Sequence, residues 1–482
     1  MGSTTDNQGA KLNYERRIAE RELAVISRQV LECGVLTRTN RLVSASDANH
    51  PEPPPGDVSQ AVEHLFRHEA GKMVSILTGI FGLEHLNLAE DVIQEALARA
   101  LQTWPYYGIP KNPSAWIMRV SRNLALDVVR RETVFRSKEP EITALMEQRD
   151  PGREDQASLE QELKDDGLRM MFVCCHPLIP QEAQVALALK TLCGFGIGEI
   201  SRAFLTSEAA IAKRLTRAGQ KIREARIPFE IPTGEEASRR LDGVLQTLYL
   251  LFNEGYKASS GEKLVREELC HEALRLARLL SEHPAGNQPR THALLALMLL
   301  NAARLRTRTD DQGRVLRLKE QDRSGWDRAV IARGMFHLAQ SAGGDELTEY
   351  HLQAGIAACH CAAADYESTD WLQILSLYDH LLKFDDSPVI ALNRAVAVAN
   401  VHGPQAGLEA VTAIPNRKKL DSYYLYFAVL GEFEELLDHP QVAAMHFRKA
   451  AQLTDIKSEQ SFLSNRGRAC EARIHSRRAQ PA

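Results

Sequence analysis

From position 58 onward, apolar residues recur at spacings of three and four almost without interruption, and runs of alternating β-branched residues are nearly absent. A period near 3.6 gathers such residues on one stripe of an α-helix, whereas a half-buried strand needs a period of two. The spacing therefore predicts an all-α fold. Pro and Gly punctuate the pattern into blocks, and 482 residues are more than one hydrophobic core serves. Residues 1–57 hold one candidate helix, Tyr14 to Glu32, and then SASDANHPEPPPGD, a Pro-rich polar stretch that cannot pack. They read as a disordered or partly helical tail. A first helical block covers 58–132. The segment 133–166 carries ten acids against four bases over KEPEITALMEQRDPGREDQASLEQELKDD and reads as a flexible acidic linker. A second, short block covers 167–228 and is closed by IPFEIPTG. A third, purely helical block fills 238–474.

Charge and composition remove several function classes. Lys+Arg 59 against Asp+Glu 63 give a net charge of −4, so the chain as a whole is not a polycation that coats nucleic acid, although its charge is segregated. No stretch approaches the ~18 to 20 continuous apolar residues of a membrane span, and the first 30 residues contain no apolar signal core. A cytoplasmic protein with no membrane partner is expected. The eight cysteines are dispersed and read as reduced thiols. Cys174, Cys175 and His176, like Cys359, His360 and Cys361, are zinc-type ligands. Adjacent helical residues point apart, however, and neither cluster has a partner pair at the spacing of a closed site. There is no phosphate loop, no G-x-S-x-G and no H-E-x-x-H. No metal, no cofactor, no catalytic residue and no enzymatic activity are expected.

The most informative segment is FGIGEISRAFLTSEAAIAKRLTRAGQKIREARI. A short amphipathic helix over 198–204, with Ile200, Ala203 and Phe204 inward, is followed by a polar break at Thr206 and Ser207 and then by a longer helix. Ser207 suits the N-cap, and Glu208 suits the first turn that the helix dipole favours for an acid. This is a helix-turn-helix pattern, with a preceding helix at Glu182 to Leu192 completing a three-helix core. Ala210, Ile211, Leu215, Ala218 and Ile222 form the inner stripe. Lys213, Arg214, Arg217, Lys221, Arg223 and Arg226 lie mostly off it, against Glu224. Six bases on such a helix suit phosphate contact along a DNA groove; a solvated basic face is the alternative. Leu205 stands where such turns commonly have Gly.

The first block has its own asymmetry. LEHLNLAEDVIQEALARAL is a periodic helix, acidic early (Glu84, Glu90, Asp91, Glu95), with Val92, Ala96 and Leu97 inside. PSAWIMRVSRNLALDVVRR places Ile117, Val120, Leu124 and Val128 on a buried stripe and Arg119, Arg122, Asn123, Arg130 and Arg131 on the other face. Between them, TWPYYGIPKNP reads as a Pro-broken loop with Trp104, Tyr106 and Tyr107. Aromatics beside a basic helix suit unpaired DNA, because every base offers a face for stacking and every phosphate a charge. The same aromatics could instead fill the core of a small bundle, and for Trp116 that reading stands level.

Together the two blocks resemble a known family. HLFRHEAGKMVSILTGIFGLEHLNLAEDVIQEALARALQTWPYYGIPKNPSAWIMRVSRNLALDVVRR is similar to region two of the extracytoplasmic-function sigma factors of bacterial RNA polymerase, with A-E-D-x-x-Q-E followed by a W-x-x-x-x-x-R-N-x-x-x-D-x-x-R-R helix. HPLIPQEAQVALALKTLCGFGIGEISRAFLTSEAAIAKRLTRAGQKIREARI resembles region four. FVCCHPLIP, LYLLFNEGY, LKEQDRSGWDR and DSPVIALNRAVAVANVHGPQAGL resemble the subgroup with a long helical C-terminal extension, in which Leu205 at the turn is expected. The resemblance covers about 58–460. It implies that Asp91, Gln94 and Glu95 dock on the beta-prime clamp of the polymerase core, with the beta flap as a second contact. It further implies that Arg119, Arg122, Asn123, Arg130 and Arg131, with Trp104, Tyr106 and Trp116 near an unstacked base, face the −10 element of promoter DNA. Ser207, Glu208, Ala209, Lys213, Arg214 and Arg217 would then face the −35 element, phosphate contacts placing the protein and a few side chains reading bases. Glu208 could accept from a cytosine amine or balance the helix dipole.

The third block suggests an array of helix pairs. In FAVLGEFEELLDHPQVAAMHFRKAAQL, Phe427, Leu430 and Gly431, then Ala443, Phe447 and Ala450, fall at tetratricopeptide spacings; ALNRAVAVANVHGPQAGLEAVTAI gives a weaker pair with Ala395 and Gly407. Such arrays take a protein partner or an intramolecular contact. RLKEQDRSGWDR, with Lys319, Glu320, Asp322, Arg323, Asp327 and Arg328 around Trp326, reads either as a contact to the DNA-binding blocks or as an ion-pair cluster closing a loop. Two functions are consistent with the whole: a sigma factor regulated by its C-terminal domain, and a stand-alone helix-turn-helix regulator with a helical-repeat sensor.

Overall fold

The computed structural model describes residues 58–131, 166–193, 195–203, 206–257, 265–310, 314–344 and 346–479. The candidate helix 14–32, the Pro-rich stretch after it, the acidic segment 133–165, and Phe204 and Leu205 lie outside the described residues. Regular structure among the described residues is helical, apart from an isolated antiparallel bridge between Thr309 and Val315. The all-α expectation is met.

The chain forms two compact units. One holds the described residues up to Leu251 together with Arg275–Gly286, and the other holds Phe252–Leu274 together with Asn287 onward. Residues 238–251, expected to open the third block, thus fold with the first two. They belong to the helix Gly234–Tyr256, where Leu241, Val244, Leu245, Leu248 and Leu251 are buried.

In the first unit, α1 (Val58–His68) and α2 (Ala70–Phe81) pack on α3 (Leu86–Tyr107), and α4 (Pro113–Arg131) lies along α3. Gly82, at φ 94°, stops α2 while its N–H still bonds the Thr78 carbonyl at 2.9 Å. The start of α4 is fixed by Asn112, whose Oδ1 accepts from the Ala115 N–H at 3.0 Å, and by Pro113 in the first turn. The buried stripe of α4 is not the predicted one. Ile117, Ser121, Ala125 and Val129, four apart, are buried, whereas Val120 and Leu124 are half-buried and Val128 is exposed. The reason is close approach: Ser121 Oγ donates to the Val92 carbonyl of α3 at 3.3 Å, and the small Ser121 and Ala125 admit the neighbouring helix. Larger apolar side chains are displaced to the flanks.

The rest of the unit follows the same logic. A helical segment, α5 (166–174), precedes α6 (Gln181–Cys193), α7 (Ile197–Ala203) and α8 (Glu208–Ala225), and α8 packs on both α6 and α7. Helix Gly234–Tyr256 closes this group. Cys175 Sγ lies 3.7 Å from Thr247 Oγ1, and a Cβ at Gly243 would stand 2.6 Å from Gln184 Oε1.

In the second unit, successive helices pack mainly as neighbours in chain order. Small residues set the approach: Gly407 faces Ala399 and Phe433, and Gly431 lies against the Phe447 ring, where a Cβ would be 2.8 Å from a ring carbon. Leu430, Ala443, Phe447 and Ala450 are buried, and Phe427 packs against them half-buried. The segment RLKEQDRSGWDR closes on this unit. Arg317 reaches Glu432 at 2.9 Å and Lys319 reaches it at 2.7 Å. Buried Arg323 donates to the His360 carbonyl at 2.7 Å and to Thr369 Oγ1 at 2.9 Å. Asp327 caps the helix Arg328–Ser341 by accepting from Ala329 and Val330 N–H groups, both at 3.0 Å. Of the two readings of this segment, the ion-pair cluster describes these contacts.

Candidate nucleic-acid and polymerase interface

The acidic face of α3 is built by its periodicity. Leu86, Ala89, Val92, Ile93, Ala96, Leu97 and Ala100 are buried, which leaves Asp91, Gln94 and Glu95 exposed on one side. Glu95 pairs with Arg99 one turn on, at 2.9 Å. Glu90, beside them, is held in an ion pair with Lys190 of α6. Three contiguous polar side chains on a rigid helix form a face that a basic partner can dock against.

The aromatic group divides. α3 continues through Tyr107 and ends at Gly108, φ 81°, so the segment read as a Pro-broken loop is mostly the last turn of a helix, with Pro105 inside it. Helical geometry sends Trp104 inward: it is 2% exposed and meets Trp116 edge-on, ring centroids 5.4 Å apart. Burial takes Trp104 out of the set that could stack on a base, which corrects the sequence expectation. Trp116 is half-buried. Tyr106 and Tyr107 project instead, 85% and 86% exposed. Tyr107, which the sequence places beside Tyr106 but outside the expected DNA-facing set, is as exposed as its neighbour at the helix end.

The basic face of α4 divides in the same way. Arg119 and Asn123 are exposed, and Arg122, 8% exposed, is turned inward by the rotated stripe. That removes Arg122 from the expected DNA-facing set. The side chains of Arg130 and Arg131 lie outside the described residues. Arg119, Asn123, Tyr106 and Tyr107 therefore remain as exposed groups of the kinds that contact phosphates and bases.

The second candidate face is on α8. Ser207 caps it, its Oγ accepting from the Ala210 N–H at 3.2 Å, and Glu208 occupies the first turn. Ile211, Ala218 and Ile222 are buried, and Ala210 and Leu215 are half-buried. Ser207, Glu208, Ala209, Lys213 and Arg217 are exposed, and Arg214 is half-buried. Lys221 is bound back to the Leu178 carbonyl at 3.0 Å. The helix thus presents its first turn and a basic edge.

The cysteine and histidine clusters serve the interior. Cys174 Sγ lies 3.3 Å from Thr191 Oγ1, and burial drives its thiol pKa up. Burial likewise raises Cys175, Cys359 and Cys361 to about 12 and lowers His360 to about 3, the last helped by Arg304 and Arg323. Such thiols stay protonated and unreactive. Among the described residues no group of three or more His, Cys, Asp or Glu could hold a metal ion, and no helix is long and apolar enough to cross a membrane.

Known proteins share these parts. Residues 65–134, which hold α3 and α4, match sigma-70 region 2. Residues 240–342 match a family of unknown function (DUF6596). The ECF RNA polymerase sigma factor SigE of Mycolicibacterium smegmatis is 25% identical over 175 residues, 36% of this chain and 65% of that protein. These matches support a sigma factor role. An uncharacterized protein of Rhizobium meliloti is 39% identical over 381 residues, 79% of this chain and 89% of its own length. The chain belongs to one family with that protein. No solved structure matches it.

Proposed function

We propose that the protein is an extracytoplasmic-function sigma factor that binds core RNA polymerase and directs initiation at particular promoters. The observation that carries the reading is the coincidence of the region 2 match with an exposed acidic face and an exposed basic and aromatic face on the same two helices. Asp91, Gln94 and Glu95 dock on the beta-prime clamp. Arg119 and Asn123 meet the −10 element, Tyr106 and Tyr107 stack on an unpaired base, and Arg130 and Arg131 extend the basic helix. The segments 197–203 and 208–225 act as a helix-turn-helix whose first turn, Ser207, Glu208 and Ala209, faces the −35 groove while Lys213, Arg214 and Arg217 hold phosphates. The beta flap takes the same region. The second unit is a tetratricopeptide-like domain that regulates the first, and the protein acts in the cytoplasm without catalysing a reaction.

Run-off transcription with core polymerase tests this directly. The full chain should bind core enzyme, direct initiation from the promoter of its own gene, and bind that duplex weakly alone. Tight duplex binding without polymerase, and no initiation with it, would instead identify a stand-alone regulator. Asp91→Lys with Glu95→Lys should abolish core binding and leave the fold intact.

A further inference from the structure

The second unit holds a group of arginines that its carboxylates do not serve. The Asp327 N–H donates to the Ala303 carbonyl at 2.9 Å, which brings the backbone of Arg304 beside that of Arg328. Arg304 and Arg323 both stand over the ring of Trp326, their guanidinium carbons 5.8 and 5.1 Å from its centre. Among the described residues, no carboxylate is ion-paired with Arg304, Arg323 or Arg328. The acids of the surrounding turns are engaged elsewhere. Asp322 accepts from the Ser324 N–H at 2.9 Å, Asp327 from Ala329 and Val330, Asp365 from the Ser368 N–H at 2.8 Å, and Asp370 from the Gln373 N–H at 2.9 Å. Each of them caps a turn or a helix start. Asp365 and Glu367 act on Arg323 only across a gap.

The terminal nitrogens of Arg323 are fixed on the His360 and Ala363 carbonyls and on Thr369 Oγ1. Buried nitrogens with no partner are left around them: Nε of Arg304, Nε of Arg323, Nε1 of Trp326 and Nδ1 of His360. Trp326 and Arg323 are 3% and 4% exposed, whereas Arg304 and His360 are half-buried and Arg328 is exposed. The group therefore has a buried floor and an edge that solvent reaches. The field at the His360 ring is positive, because Arg304 and Arg323 add to burial in lowering its pKa and no carboxylate opposes them.

We propose that Arg304, Arg323 and Arg328, with Trp326 and His360, form a binding site for a small phosphate monoester. Unpaired cations and buried donors are unfavourable until an anion accepts from them. A monoester brings about −1.5 to −2 charges at pH 7 and three strong acceptor oxygens. That matches three guanidinium groups and several orphan donors, which the single charge of a carboxylate does not. Trp371, half-buried and edge-on to His360 with ring centroids 5.4 Å apart, provides an apolar wall for the body of the ester. The site lies wholly within the second unit and stands independently of the sigma factor reading.

The test is calorimetric titration of the full chain with inorganic phosphate and with glycerol 3-phosphate, against acetate as the singly charged probe, in chloride of matched ionic strength. Both phosphates should bind at one site per chain and at least tenfold more tightly than acetate. Arg304→Gln should weaken phosphate at least tenfold and Arg328→Gln severalfold. Arg304→Lys should fall between wild type and Arg304→Gln, since it keeps the charge and loses the planar fork. Arg306→Gln, which removes an exposed cation two residues away, should leave binding unchanged. With 5-fluorotryptophan at all four tryptophans, the fluorine resonance of Trp326, assigned by its loss in Trp326→Phe, should move on saturation while those of Trp104 and Trp116 stay. Should Trp326→Phe fail to fold, replacing the other three in turn assigns the resonance by elimination. In chloride alone, Arg304→Gln should melt no lower than wild type, because the charge it removes has no partner. No phosphate binding above the chloride background, an equal loss in Arg306→Gln and Arg304→Gln, or an unmoved Trp326 resonance would overturn the site. A lower melting temperature of Arg304→Gln in chloride would assign that residue to packing and overturn it as well, and acetate binding as tightly as phosphate would overturn the ligand class.

Discussion

Arg119 and Arg122 stand one turn apart on α4, yet Arg119 is exposed and Arg122 is buried. Each phosphate neutralised by a cation releases counterions, so log affinity falls with log salt by about 0.9 per contact on duplex and about 0.7 on single strands. Arg119→Ala should therefore flatten that slope by about 0.7 to 0.9, measured as promoter affinity of the polymerase complex across a salt series. Arg122→Leu should leave the slope as it is. Glu432 poses the residue question in the second unit. Burial would raise its pKa, but Arg466, Lys319 and Arg317 outweigh burial and hold it near 2, below the ordinary value of 4.5. A carboxylate with a depressed pKa in the folded state stabilises above its unfolded pKa and loses that effect as pH falls through the folded one. Glu432→Gln should accordingly lower the melting temperature at pH 7, and the gap from wild type should close between about pH 4.5 and 2. A constant gap across that window would show that the ion pairs contribute nothing.

At the scale of the element, the stripe of α4 makes a sharper claim than burial alone. If Ser121 and Ala125 mark the line of close approach to α3, enlarging either forces the helices apart. Overpacking of this kind costs about 1–3 kcal/mol, while trimming an exposed apolar residue changes stability by less than about 0.5 kcal/mol. Ala125→Leu should thus destabilise the first unit by that larger amount and Val128→Ala should not, in denaturant titrations of the full chain read by the tryptophans. The sequence predicts the reverse order, since Val120, Leu124 and Val128 are the bulkier residues. Periodicity reveals that a helix exists and where it ends, as Ser207 and Glu208 show for α8. It does not choose between two adjacent stripes when one is apolar by size and the other is small by necessity. Trp104 is buried for a related reason. Its Pro and Tyr neighbours suggest a loop, but the helix runs on to Gly108, and helical geometry alone turns Trp104 in while Tyr106 and Tyr107 point out.

At the scale of the molecule, composition and punctuation mark out blocks, and the two compact units do not follow them. Nothing local distinguishes Leu251 from Phe252 within one continuous helix, and the pairing of Lys190 with Glu90 joins residues a hundred positions apart. This changes how regulation by the second unit has to be tested. A chain ending at Ile227 contains both proposed DNA-reading segments, but it lacks the helix that covers Cys175 and Gln184. Leu241, Val244, Leu245, Leu248 and Leu251 are each no more than 1% exposed. Fully burying one such side chain contributes about 1.5–3 kcal/mol, and whole domains are stable by only about 5–15 kcal/mol. The short chain should therefore aggregate or melt without a cooperative transition, and its failure at a promoter would say nothing about control. A chain ending at Gly286 keeps both segments that complete the first unit and should give a cooperative calorimetric transition. Its run-off activity relative to the full chain then measures what the second unit does, with higher output meaning restraint and lower output meaning support. Equal cooperativity in the two shortened chains would mean that the helix beginning at Gly234 is dispensable to the first unit, and that the compact division at Leu251 has no energetic counterpart.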